Sequence, residues 1–138
     1  MILNGSILQE KINAKFSGVI FSNWLIWLNS NAKFKNAKLS YYTGDFDWAK
    51  SQLDILKTAT TQLISNNAIE LSLLIQDNTG LDSTEDAMKE YAQADFYLYQ
   101  NNIDKCTEIL NMMPFKYPKH ALSDEIFYLK ARVQEKLG

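Results

Sequence analysis

The chain has 138 residues, of which 46% are hydrophobic and 22% charged, with a net charge of −2. That is apolar material for one compact core and too little length for two ordinary domains. Five Gly and two Pro are too few turn residues for a sandwich or barrel, and with one Arg among 14 basic residues and a negative balance the composition speaks against a nucleic-acid surface.

The most apolar stretch is residues 16–28, FSGVIFSNWLIWL, preceded by Lys11 and Lys15 and followed by Asn29-Ser30-Asn31. At 13 residues, interrupted by Ser22 and Asn23, it is short of the roughly 20 residues a membrane span requires. The reading favoured is a buried or packing helix broken near Gly18; an export signal, cleaved or uncleaved, and a membrane-surface helix stay open as alternatives. Residues 1–30 therefore form an N-terminal helical segment of their own.

From residue 31 the apolar spacing is helical throughout, and no stretch reads as a strand. A helix over 31–43 stops at Gly44, which can take the left-handed conformation past a helix end. A second runs over 45–60 with Phe46, Ala49, Leu53 and Leu56 on one face. A third, over 66–77, carries Ile69, Leu71, Leu73, Leu74 and Ile75 around most of its circumference, which predicts a helix sandwiched between neighbours. The break Asp77-Asn78-Thr79-Gly80 precedes a capping pair, Ser83 and Asp86, and a helix to residue 99 with Ala87, Tyr91, Ala94 and Leu98 facing inward. After Gln100-Asn101-Asn102 a helix over 103–113 is expected to end at Pro114, and the last helix spans 121–137.

Two segments align without gaps, YYTGDFDWAKSQLDIL (41–56) and LYQNNIDKCTEILNMM (98–113). Each has a polar turn, then an apolar residue, a small residue and a Leu at matching positions: Phe46, Ala49, Leu53 and Ile103, Cys106, Leu110. This resembles the tetratricopeptide repeat, a helix-turn-helix unit of 34 residues. Gly44-Asp45-Phe46 with Ala49 matches its turn, Asn101 and Cys106 stand at the Gly and Ala positions of the second copy, and Pro118 stands at the terminal Pro. Ala94 and Tyr97 match the small and aromatic positions of that copy's first helix. The stretch from Tyr117 is similar to the repeat boundary of bacterial envelope-associated members. The resemblance implies an all-α fold, an α-α superhelix in which antiparallel helix pairs form a solenoid. Repeats fall at about 31–62 and 87–120, with an inserted helix at 66–77 and a truncated third repeat at 121–138. The open third repeat should expose Ile126, Leu129 and Val133 for cover by the N-terminal segment 16–28, by another copy or by residues outside these 138.

Catalytic candidates are few. His120 is the one histidine and Cys106 the one cysteine, so a Cys/His zinc set and an intramolecular disulfide are excluded. His120 reads as a capping or linker residue and Cys106 as a packing thiol. Asp45 and Asp47, like Asp124 and Glu125, suit the positive end of a helix. No catalytic, metal or cofactor residue is therefore assigned, and the expectation is a non-catalytic protein-protein interaction module of a bacterium, cytoplasmic or in the periplasm and cell envelope. The resemblance implies a concave surface for a partner peptide or protein, and mapping by repeat position puts Phe34, Lys38, Tyr41, Tyr91, Asp95, Tyr99, Tyr128 and Arg132 on it. The alternative is a structural or oligomerisation segment of a longer array, with a homo-oligomer as one outcome.

Overall fold

The computed structural model describes residues 2–58, 60–80 and 85–138, with the backbone alone for 2–7 and 16. The described residues form six helices and no strand: α1 (Ile2–Tyr42), α2 (Phe46–Leu56), α3 (Gln62–Asn78), α4 (Glu85–Tyr99), α5 (Ile103–Lys116) and α6 (Ser123–Leu137). The expected capping pair lies partly outside them, since Ser83 is not described.

Two hairpins, α1/α2 and α4/α5, are closed by the same hydrogen bonds. At the first, Gly44 N donates to Tyr41 O (3.1 Å) and Asp45 N to Ser40 O (2.9 Å); at the second, Asn101 N donates to Leu98 O (3.0 Å) and Asn102 N to Tyr97 O (2.8 Å). This helix-ending pattern needs a left-handed residue, supplied by Gly44 at φ 80° and Asn101 at φ 60°. The next residue caps the following helix: Asp45 accepts from Trp48 N and Asn102 from Lys105 N. The small positions Ala49 and Cys106 and the leucines Leu53 and Leu110 are all fully buried. Ala37, Ala87, Ala92 and Ala94 are buried with them, and side chains this small let helices approach closely.

The helix α4 packs on α5 and also directly on α1, through Tyr42 against Phe96 with ring centroids 5.0 Å apart. The helix α3 lies beside this double hairpin, against α2, α1 and α4. It buries one side, Ile64, Ser65, Ala68, Ser72, Ile75 and Asn78, so the expected sandwiched helix is corrected: Leu63, Ile69 and Leu73 face outward. Small polar residues set its approach to α2, where Ser72 Oγ donates to Asp54 Oδ1 (3.1 Å) and Ser65 Oγ donates to Lys57 O.

Three further expectations are corrected. First, α1 runs unbroken through Gly18, because one glycine costs only about 1 kcal/mol against alanine and nothing crowds that position. Its N-terminal half is not buried, since every described side chain from Leu8 to Asn29 is exposed. Second, α5 continues past Pro114 for less than a turn, and Tyr117 N closes it by donating to Met113 O (2.8 Å). The proline removes one hydrogen bond at a helix end, which is tolerated where little helix follows. Third, Ile126, Leu129 and Val133 are buried within the chain, and the N-terminal half of α1 does not cover them.

Candidate functional site

An open cleft of ≈ 390 Å³ lies where α1, α3, α4 and α6 meet. Phe34 and Lys38 come from one face of α1, Tyr91 and Asp95 from one face of α4, and Tyr128 and Arg132 from one face of α6. Each pair is four residues apart, so successive turns of a helix present both side chains on one side.

Three contacts hold α6 against α4. Arg132 Nη1 donates to Asp95 Oδ1 (3.3 Å), Tyr91 Oη to Glu125 O (3.3 Å) and Lys136 Nζ to Leu98 O (2.8 Å). Asp95 is nearly buried while Arg132 is partly open to solvent, so the ion pair forms the floor of the cleft. Burial, followed by the nearby Asp95 charge, raises the Tyr91 and Tyr42 hydroxyls above their ordinary range and keeps them neutral. The same causes push the Cys106 thiol up, and it stands as a buried packing group on α5. His120 sits at the entrance to α6, where its Nδ1 accepts from Leu122 N (3.3 Å).

Six of the eight residues expected on a binding surface, Phe34, Lys38, Tyr91, Asp95, Tyr128 and Arg132, line this one cleft. The other two lie elsewhere. Tyr41 is fully buried against Phe46 and Tyr42, its hydroxyl raised by burial and then by Asp95, so it supports the cleft from below. Tyr99 is exposed at the side, with Tyr42 and Phe96 as ring neighbours. Lys38 Nζ lies 5.7 Å from the Tyr42 ring centroid and 5.9 Å from that of Tyr99, so one lysine joins the cleft to this aromatic group.

Residues missed by repeat mapping are Asn67, Glu70, Leu71 and Leu74 of α3, with Glu125 of α6. Their spacing on α3 is that of a single helical stripe, and that stripe was the available signal. The walls thus combine apolar groups (Phe34, Leu71, Leu74, the Tyr rings) with both signs of charge (Lys38 and Arg132 against Glu70, Asp95 and Glu125). Among the described residues no group of three or more His, Cys, Asp or Glu side chains could hold a metal ion, and no helix is long and apolar enough to cross a membrane. Compared with known proteins, the chain matches no family model, no curated protein and no solved structure.

Proposed function

We propose that the chain is a non-catalytic interaction module that holds a peptide segment of a partner protein in the cleft between α1, α3, α4 and α6. The supporting observation is the convergence of Phe34, Lys38, Tyr91, Asp95, Tyr128 and Arg132 from three helices onto one open cleft. Aromatic and Arg side chains dominate binding energy at protein interfaces, and here they are carried on rigid helices, so little ordering entropy opposes binding. Under this reading the two hairpins are tetratricopeptide-like units stacked into a short superhelix, and α3 narrows the concave side. An extended peptide with an apolar anchor flanked by a basic residue fits best, because Glu70 and Glu125 are the carboxylates not paired to a neighbouring cation in the cleft wall.

Peptide-display selection against the immobilised full chain supplies the probe, and fluorescence polarisation measures the selected peptide. Replacing Tyr128, which is exposed, and Lys38, which is half-buried, together by Ala is expected to weaken binding at least tenfold with the helical circular dichroism unchanged, about 1.4 kcal/mol or more. Failure to enrich any peptide, or equal affinity for the double variant, would overturn the cleft assignment.

A further inference from the structure

The N-terminal half of α1 leaves the body as a bare helix. From Leu8 to Leu28 it carries ten large apolar side chains, each between 38% and 60% exposed, including Trp24 and Trp27. At roughly 100 Å² each, this is on the order of 1,000 Å² of apolar surface spread around the helix. A groove on one side covers about half of it, so a reciprocal pair of helix-in-groove contacts is needed to reach the roughly 800 Å² per partner of a standard stable interface. Eight of the ten fall within residues 19–28, and an exposed apolar segment of this size marks an interaction site.

A second uncovered apolar surface lies along α5 and α6, on the side of α6 away from the cleft. Two hollows of ≈ 320 Å³ and ≈ 450 Å³ share Phe127 and Lys130 and form one trough floored by Met113, Leu110, Ile126 and Val133. Phe127 stands 77% exposed at its centre. His120 lines one end, its Nδ1 accepting from Leu122 N and its Nε2 buried without a hydrogen-bond partner.

We infer that the trough between α5 and α6 receives the apolar segment of α1, residues 19–28, from a second copy of this chain. A chain cannot dock its own segment there, because α1 is one continuous helix whose packed end lies against α2, α3 and α4, on the cleft side of α6 and not on the trough side. The sizes agree, since ten helical residues span about 15 Å and the 15 residues of α6 about 22 Å. The polarity agrees as well. Residues 16–32 contain no charged side chain, and the polar residues Thr107, Asn111 and Gln134 along the trough are uncharged as well. The aliphatic stem of Lys130 adds apolar wall while its amine stays in water. A bilayer surface fits less well, because a helix lying on a membrane opposes its apolar face with a charged one, and this stretch has no charge to offer.

The test is the mass of the full chain in solution by light scattering over a dilution series, with two single variants at exposed positions, Trp27→Glu on the helix and Phe127→Glu in the trough. The wild type is expected to form dimers or larger species that dissociate on dilution. Each variant alone is expected to dissociate at a concentration at least tenfold higher, with circular dichroism unchanged. An equimolar mixture of the two should recover a dimer, because each supplies the surface the other has lost. A wild type that stays monomeric overturns the proposal, and so does a Phe127→Glu variant that associates like the wild type, which would mean the helices pair with each other. Loss in both variants without recovery on mixing also overturns the helix-in-trough pairing. If the monomer instead floats with phosphatidylcholine and phosphatidylglycerol vesicles, the segment belongs to a membrane surface. The cleft reading stands apart, because Phe127→Glu leaves peptide binding there unchanged whichever way the mass experiment falls.

Discussion

The two halves of α1 have opposite fates. Its N-terminal half is the most apolar stretch of the chain and is exposed, whereas its C-terminal half is polar over much of its surface and contributes Ala37 and Tyr41 to the fully buried core. Burial is therefore decided by what neighbours exist to pack against, and only the C-terminal half has α2, α3 and α4 beside it. Polar contacts draw the same boundary. The extension carries a side-chain hydrogen bond from Gln9 Nε2 to Asn13 Oδ1 within its own helix, whereas the body ties helix to helix through Ser72 and Asp54, Tyr91 and Glu125, and Arg132 and Asp95.

The largest effect expected from breaking this contrast comes from equivalent truncations in the two halves. Tyr41→Ala removes a fully buried ring and should cost about 3–5 kcal/mol in denaturant unfolding. Trp24→Ala in the exposed half should change stability by less than about 0.5 kcal/mol at dilutions where the chain is monomeric. A large effect of Trp24→Ala under those conditions would show that the extension folds back on the body. Next in size is the same glycine substitution on the two sides of the boundary. Gly44→Ala places a Cβ on a left-handed backbone, 3.2 Å from the Lys89 side chain, and should destabilise by about 1–2 kcal/mol. Gly18→Ala meets no neighbour and should stabilise the extension by about 1 kcal/mol, read as slower amide hydrogen exchange around residue 18 with little change in global unfolding.

These contrasts also mark what the amino-acid order discloses. The hairpin turns are legible because their chemistry is local: Gly44 and Asn101 each tolerate positive φ, and Asp45 and Asn102 each carry the cap on the next residue. The direct packing of α4 on α1 is not local. It puts Tyr42 against Phe96 and Asp95 over Tyr41, so Tyr41 is lost from the cleft surface although its helical position matches that of Phe34 and Lys38. The residues of α3 that line the cleft escaped for the same reason, because an inserted helix has no repeat position from which to infer its face. The continuity of α1 was hidden by Gly18, whose local cost is small beside the hydrogen bonds of a 41-residue helix.

The smallest expected effect tests a polar tie of the body against acid. Asp54 lies beside Lys57 Nζ at 2.7 Å and accepts from Ser72 Oγ on α3, and the hydrogen bond from Lys57 is the main cause that holds its carboxyl below the ordinary 3.8. A carboxyl whose folded value is depressed binds protons more weakly folded than unfolded. Its contribution is therefore complete above the unfolded value and is lost as pH falls through the folded one. Because Asp54 is almost half exposed, solvent screening limits the contribution to about 0.5–1 kcal/mol. Asp54→Asn should accordingly lower the melting temperature by a few degrees at neutral pH, and the two melting curves should converge below the carboxylate range. A difference that persists undiminished in acid would mean that the asparagine perturbs the α2/α3 packing itself, and that the charge on Asp54 is not what ties the two helices together.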